Sequence, residues 1–113
     1  MSQITTHVLD TTRGHPAAQL PVTLYQKSDG QWQKIGSADT DKGGRISDLL
    51  PPDTKLPAGC YRMHFKTQAY FDSNQETGFY PYVDIVFSLD DSGSHYHIPL
   101  LLSAFGYSTY RGS

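Results

Sequence analysis

The chain has 113 residues, which suits one domain with its own core, and a formal net charge of −2. A charge balance this close to neutral supplies no basic field for a phosphate backbone, so we expect no nucleic-acid partner. The sequence has no run of about twenty apolar residues, which excludes a membrane-spanning helix, and we expect no membrane partner.

The amino terminus and the cysteine content bear on the compartment. The opening stretch MSQITTHVLD has neither a basic start nor an apolar central segment, so we expect no signal peptide. Cys60 is the only cysteine, which prevents an internal disulfide and favours a reducing compartment. We therefore expect a cytoplasmic location, with the periplasm as the alternative if a signal peptide has already been removed.

Apolar and polar residues alternate with a period of two along most of the chain, which is the pattern of half-buried strands. Eight strands are predicted in chain order: ITTHVLD, LPVTLYQK, QKIGSA, GRIS, CYRMHFK, YVDIVFSL, HYHIPLLL and GYSTYRG. They are separated by the turn signals TTRGHP, SDGQ, DKGG, PPDTKLPAG and DDSGS. The segment TQAYFDSNQETG does not alternate and predicts a short helix. Short strands separated by such turns predict an all-β sandwich.

The first predicted strand carries the first candidate functional residue. A strand over ITTHVLD places Thr5, His7 and Leu9 on one face. An imidazole between these neighbours is ambiguous: it fits a functional site, but the simpler interpretation is a structural or surface histidine.

The segment TDKGGRIS carries the second candidate. Its glycines suit a tight turn, because a positive φ has no steric cost for glycine. Arg45 then opens the following strand, where a stiff element would hold the guanidinium in place. The simpler interpretation is a surface arginine in a hairpin.

The segment HYHIP is the strongest local signal. Residues i and i+2 of a strand project to the same side, so His95 and His97 can line one concavity. One hypothesis is a zinc site with His7 or His64 as a third ligand. The other is general acid–base chemistry, for which an imidazole titrates in the useful range. An arginine in the same cluster would argue against zinc, and the Cys/His spacing of a structural zinc site is absent.

The carboxyl-terminal run GYSTYRGS is rich in hydroxyl groups. The chain contains no G-x-S-x-G elbow and no acid placed for a serine triad, so a serine nucleophile is not indicated. The aromatic residues of this run also suit packing against a second subunit.

Three segments together resemble one family. THVLDTTRGHPA, TDKGGR and HYHIPLLLSAFGYSTYRGS are similar to segments of the transthyretin-related proteins, the 5-hydroxyisourate hydrolases, in the same order. The terminal YRGS is the most specific mark, because it separates the enzymes from the thyroid-hormone carrier. The resemblance implies a single transthyretin-like domain over residues 1–113, with two four-stranded sheets and one short helix. It also implies a homotetramer, a dimer of dimers, whose central channel holds the active sites.

The implied activity belongs to urate degradation. It is the hydrolytic opening of the 5-hydroxyisourate ring, a cyclic amide, to 2-oxo-4-hydroxy-4-carboxy-5-ureidoimidazoline, with no metal and no cofactor. The residues that match the family's catalytic groups are His7, Arg45, His97 and Ser113, and Tyr110 joins them in binding the substrate. The alternative function is a transthyretin-like carrier that holds a small molecule in the same channel.

The expected mechanism divides the work among these groups. His7 and His97 would activate water and deliver a proton, and Arg45 would stabilise the oxyanion. Ser113 would bring a hydroxyl and the α-carboxylate close to the histidines, and such a carboxylate would raise the pKa of an imidazole. His95 receives no catalytic role, so we expect a His95→Asn protein to stay substantially active.

Overall fold

The computed structural model describes residues 2–113 and contains nine strands and one helix in two stacked sheets. The elements in chain order are β1 (Ile4–Asp10), β2 (His15–Pro16), β3 (Pro21–Ser28), β4 (Gln31–Asp39), β5 (Arg45–Ile46), β6 (Gly59–Phe65), α1 (Thr67–Ser73), β7 (Val83–Leu89), β8 (Tyr96–Leu102) and β9 (Tyr107–Thr109). The predicted all-β sandwich with a short helix is confirmed.

The first sheet is built around β1. Strand β8 runs parallel to it along the full length of β1, and β9 pairs with the far edge of β8. The short strands β2 and β5 both pair with the other edge of β1, one after the other. The sheet therefore contains five strands, but β2 and β5 share one position beside β1, so the sheet is only four positions wide. The extra strand is β2, which lies in the segment that the sequence analysis assigned to a turn.

The second sheet has the order β4-β3-β6-β7 and is antiparallel throughout. Its inner face meets the inner face of the first sheet across a core of aliphatic and aromatic side chains. Leu24, Met63 and Phe65 from this sheet and Val8 and Leu100 from the first are fully buried. Burying each such side chain contributes about 1.5–3 kcal/mol, so this layer holds the two sheets together.

Helix α1 follows β6 and packs next to β3. Its residues Tyr70 and Phe71 are buried, and the Tyr70 hydroxyl donates a 2.7 Å hydrogen bond to Oδ2 of the buried Asp10. Burial and this carboxylate both raise the pKa of Tyr70, so it stays a neutral donor. No helix within residues 2–113 has both the length and the apolar character needed to cross a membrane.

The outer face of the first sheet positions the candidate site. Because side chains alternate along β1, Ile4 and Val8 enter the core while Thr5 and His7 face outward. Register pairs Thr5 with His97 on β8 and His7 with Arg45 on β5. Paired residues of neighbouring strands share a face, so the topology brings all four to one side of the sheet.

Candidate active site

A concavity of about 210 Å³ opens on the outer face of the first sheet. It is lined by Thr5, Thr6, Arg45, Ile46, Ser47, His95, His97 and Ser113. Three of the four residues expected to be catalytic, Arg45, His97 and Ser113, therefore converge here from distant parts of the chain. We take this concavity as the candidate active site.

Arg45 is delivered to the site by the turn that precedes it. The Asp41 carboxylate accepts hydrogen bonds from the amides of Gly43 and Arg45, each at 2.9 Å, and the Asp41 amide donates to the Arg45 carbonyl at 2.9 Å. Gly44 has φ +74°, and a side chain there would collide with the Val8 carbonyl and reach Pro16 Cβ at 2.9 Å. The turn therefore requires glycine, and it fixes where β5 begins.

His7 is the fourth expected residue, and it lies at the border of the site. It is directly opposite Arg45 in the antiparallel pairing of β1 with β5, and its side chain is half-buried. It is not among the residues that line the concavity. Its charge nevertheless acts on His97, so the two imidazoles belong to one electrostatic cluster.

Thr5 is a member of the site that the sequence analysis missed. Its Oγ1 lies 2.8 Å from Nδ1 of His97 and 2.9 Å from Nε2 of His95, within hydrogen-bond distance of both rings. The two imidazoles are nearly parallel, with centroids 6.4 Å apart. The available signal was a polar residue two positions before His7 on the same face of the strand.

The pKa of His97 is lowered from its ordinary value. Burial of the ring is the largest cause, because it disfavours the charged form. Electrostatic interactions with His95, Arg45 and His7 act in the same direction, in that order. This is the opposite of the raised pKa expected from a carboxylate beside the imidazole. His97 is consequently neutral near pH 7 and can accept a proton.

The carboxyl-terminal residues reach the site because they lie against β8. The Gly112 amide donates a 2.8 Å hydrogen bond to the His97 carbonyl, and the two residues form an isolated antiparallel bridge. The Arg111 guanidinium lies 4.4 Å from the centroid of the Tyr96 ring, a cation–π contact that anchors the segment. Ser113 follows directly and enters the concavity.

Tyr110 is placed differently from the other expected residues. It lines a second, larger hollow of about 470 Å³, together with Arg111 and apolar residues of β7. The Tyr110 side chain is 59% exposed. His97 lines both hollows, so it stands between Tyr110 and the smaller concavity. Within one chain, Tyr110 is therefore not brought together with Arg45 and Ser113.

His64, considered above as a third zinc ligand, lies on the other sheet. Its Nδ1 is 2.6 Å from the Asp84 carboxylate, and its ring lies against the Tyr82 ring with a tilt of 35°. It therefore cannot join His95 and His97. Among the residues from 2 to 113, no three His, Cys, Asp or Glu side chains are grouped so that they could hold a metal ion.

The site combines three chemical capacities. A neutral, half-buried imidazole can take a proton from water. A guanidinium presents a planar, permanently charged set of donors to carbonyl or anionic oxygens. The Ser113 hydroxyl adds a group that both donates and accepts. This combination suits the hydrolysis of a small substrate that carries carbonyl oxygens.

A family model and a named relative both place the chain's similarity in one family. The model of the HIUase/Transthyretin family matches residues 4–112. The chain is 44% identical over 110 residues to 5-hydroxyisourate hydrolase of Salmonella typhimurium, covering 97% of this chain and 80% of that protein.

Two solved structures are similar over nearly the whole fold. Klebsiella pneumoniae 5-hydroxyisourate hydrolase superposes with a TM-score of 0.85 at 32% identity, covering 97% of this chain and 98% of the other. Sea bream transthyretin in complex with thyroxine superposes with a TM-score of 0.91 at 34% identity, covering 97% and 94%.

Proposed function

The chain belongs to the HIUase/Transthyretin family, and we propose that it is a 5-hydroxyisourate hydrolase. It opens the cyclic amide ring of 5-hydroxyisourate with water to give 2-oxo-4-hydroxy-4-carboxy-5-ureidoimidazoline. The observation that carries the proposal is the concavity in which Arg45, His97 and Ser113 meet. The Salmonella and Klebsiella relatives are hydrolases of that name, and they support the choice of substrate.

The reaction requires three events that the site can divide among its residues. Water adds to a ring carbonyl carbon, the carbon–nitrogen bond breaks, and the departing nitrogen receives a proton. His97 takes the proton from the attacking water, because its lowered pKa keeps it neutral near pH 7. His7, across from Arg45, delivers the proton to the nitrogen.

Arg45 and Ser113 handle the negative charge that develops. As water adds, the carbonyl oxygen becomes an oxyanion, and the Arg45 guanidinium is the cation in the concavity that can stabilise it. Ser113 also lines the concavity, and its hydroxyl holds a substrate oxygen. Tyr110 contacts substrate only if the substrate or a second copy of the chain bridges the two hollows that His97 separates.

A small-molecule carrier is the second candidate, and the similarity to transthyretin with thyroxine favours it. The residues of the concavity argue for the enzyme. A carrier for an aromatic ligand needs a largely apolar site, whereas this one presents Arg45 and two imidazoles.

We also propose a homotetramer built as a dimer of dimers. The outer strands β7 and β9 each have one unpaired edge among the described residues, and edges of this kind can extend a sheet into a second subunit. Phe79, Phe105 and Tyr110 are 68%, 72% and 59% exposed, which is unusual for large aromatic side chains and suits an interface. Because the site lies on an outer sheet face, a facing subunit would close it into a channel.

The test of the function follows the ultraviolet absorbance of freshly generated 5-hydroxyisourate with and without protein. We expect the wild-type protein to accelerate the decay at catalytic concentration and an Arg45→Ala protein to do so far less. A carrier would not catalyse the decay. It would bind the compound, or slow its decay, only to an extent proportional to the amount of protein added. A second arm adds a chelator: unchanged activity supports the proposal, and lost activity that zinc restores supports a zinc-dependent hydrolase.

A further inference from the structure

A single hydroxyl group joins the two histidines of the HYH segment. Thr5 Oγ1 lies between Nδ1 of His97, at 2.8 Å, and Nε2 of His95, at 2.9 Å. The Thr5 residue is only 5% exposed, so little water competes for these contacts. The arrangement follows from register, because Thr5 is the partner of His97 across the parallel strands β1 and β8.

The number of protons limits how this bridge can be made. A threonine hydroxyl has one proton to donate and can accept through its lone pairs, and a neutral imidazole has one N–H and one bare nitrogen. Thr5 Oγ1 has no other hydrogen-bond partner within residues 2–113, so its own proton goes to one of the two rings and the other ring must donate to it. Either His97 Nδ1–H donates to Thr5 and Thr5 donates to His95, or both bonds are reversed. The direction of the bridge consequently sets the tautomer of His97.

The charge around the concavity favours one direction. When His97 donates from Nδ1, its Nε2 carries a lone pair. When Thr5 donates to Nδ1 instead, Nε2 carries the proton. Arg45 lines the same concavity with a permanent positive charge. A cation stabilises a lone pair nearby and destabilises a partially positive N–H. The lowered pKa of His97 also keeps the ring in a neutral form, so that a single tautomer is defined.

Resting on the proposed hydrolase function, we propose that Thr5 is a positioning residue that holds His97 in the Nδ1–H tautomer and leaves Nε2 as the unprotonated nitrogen available to the attacking water. His95 accepts the hydrogen bond that the Thr5 hydroxyl donates, so this hydroxyl cannot donate to His97. Neither Thr5 nor His95 exchanges a proton with the substrate. An amide oxygen can replace His95 as the acceptor, so we expect a His95→Asn protein to keep this arrangement.

The test uses a matched pair of variants at Thr5. Thr5→Val removes the hydroxyl at nearly constant shape, and Thr5→Ser keeps it. We expect Thr5→Val to reduce kcat for 5-hydroxyisourate about 10–100-fold, the range found when the hydrogen-bond partner that orients a metal-ligating histidine is lost. Thr5→Ser should stay close to the wild-type rate. Equal rates for Thr5→Val and wild type would overturn the proposal.

A second readout does not depend on activity. In protein labelled with ¹⁵N-histidine, the ring nitrogen shifts of His97 report which nitrogen carries the proton. We expect the Nδ1–H form in the wild type and in Thr5→Ser, and a shift toward the Nε2–H form in Thr5→Val. A wild-type His97 protonated on Nε2 would overturn the proposal even if Thr5→Val failed to fold.

The two readouts also separate this inference from the proposed function. If the wild-type protein does not hydrolyse 5-hydroxyisourate, the proposed function fails, while the nitrogen shifts still decide whether Thr5 sets the tautomer. A further pair of variants tests the acceptor: His95→Gln retains an oxygen that can accept, and His95→Leu does not. We expect His95→Leu alone to increase the Nε2–H form of His97, and an unchanged tautomer in His95→Leu would refute the role given to His95.

Discussion

Gly112 lies directly against the imidazole of His97. Its amide donates a 2.8 Å hydrogen bond to the His97 carbonyl, and a Cβ added at Gly112 would be 2.6 Å from Cδ2 of the ring. The glycine of the YRGS segment is thus explained by close approach rather than by an unusual backbone angle. Only a residue without a side chain lets the terminal segment pair with β8 while the ring keeps its place beside Thr5.

The first prediction is that Gly112→Ala lowers activity more than stability. The added methyl must push aside either the His97 ring or the terminal segment that carries Ser113. We expect turnover to fall at least about tenfold, part of the 10²–10⁴ that a positioned base contributes. The free energy of unfolding should change by about 1 kcal/mol or less, because the segment is short and exposed.

Gly106→Ala is the matched control for this prediction. A Cβ at Gly106 meets only the Ser103 hydroxyl, at an ordinary 3.7 Å. Turnover by Gly106→Ala should match the wild type in the absorbance assay. Full activity of Gly112→Ala would show that the contact with the ring has no functional consequence.

The second prediction concerns Gly44, which precedes Arg45. Gly44→Ala meets both a φ of +74° and a collision with the Val8 carbonyl, so β5 must move. We expect a loss of about 1–3 kcal/mol in the free energy of unfolding and a loss of activity as Arg45 shifts. Chemical denaturation measures the first quantity and the absorbance assay the second.

Gly30→Ala separates the cost of the positive φ from the cost of the collision with the Val8 carbonyl. Gly30 has a similar φ of +77°, but a Cβ there has no neighbour within 4 Å. This variant should lose only the cost of the backbone angle, about 1 kcal/mol, and keep its activity. If Gly44→Ala and Gly30→Ala behave alike in both assays, the collision with β1 is not what places Arg45.

Local sequence patterns predicted the strands and the short helix because those signals lie within a few neighbouring residues. The alternation of apolar and polar residues in YVDIVFSL predicted β7. The absence of this alternation in TQAYFDSNQETG predicted α1. The strand β2 was missed because its two residues are too few to show alternation and it is defined only by its pairing with β1.

The site was predicted only in part for the same reason. His95 and His97 show a visible spacing, but Thr5 and His97 are 92 positions apart and meet through parallel pairing that no local pattern encodes. The direction of the pKa change at His97 was also missed. It depends on burial, on the nearby His95, and on Arg45 and His7, which the fold brings from other strands.

The third prediction addresses the residues with assigned chemical roles. His7→Asn, Arg45→Ala and His97→Asn should each reduce turnover by about 10²-fold or more, since each removes a positioned acid, base or oxyanion donor. Size-exclusion chromatography should give the wild-type assembly for all three. Lys42→Ala, a neighbouring exposed cation, serves as the control and should leave turnover unchanged. Wild-type turnover in any of the three would remove the role given to that residue.

The fourth prediction separates stability from activity at the buried Asp10. Its Oδ2 accepts the 2.7 Å hydrogen bond from Tyr70, and its Oδ1 accepts from the Arg13 amide at 3.0 Å. Tyr70→Phe leaves Oδ2 of this buried carboxylate with only the longer 3.5 Å contact to Arg13 Nε, which costs about 1–3 kcal/mol in the free energy of unfolding. The exposed Tyr82 gives a control, because Tyr82→Phe should change little. Activity at 25 °C should stay normal in both, and an unchanged stability in Tyr70→Phe would contradict this account of Asp10.

The fifth prediction concerns pH. Because burial, His95, Arg45 and His7 all lower the pKa of His97, the unprotonated base persists as the pH falls below about 6.5, the ordinary value for histidine. The acid limb of kcat/KM should therefore lie below that pH. His95→Asn removes the electrostatic effect of His95 on His97, so the pKa of His97 should rise and the acid limb should move to higher pH, while the maximal rate stays substantial. His15→Asn, an exposed histidine whose ring contacts the Pro16 carbonyl, should leave the profile unchanged. An acid limb that moves to lower pH in His95→Asn would mean that His97 is not the base whose titration limits the rate.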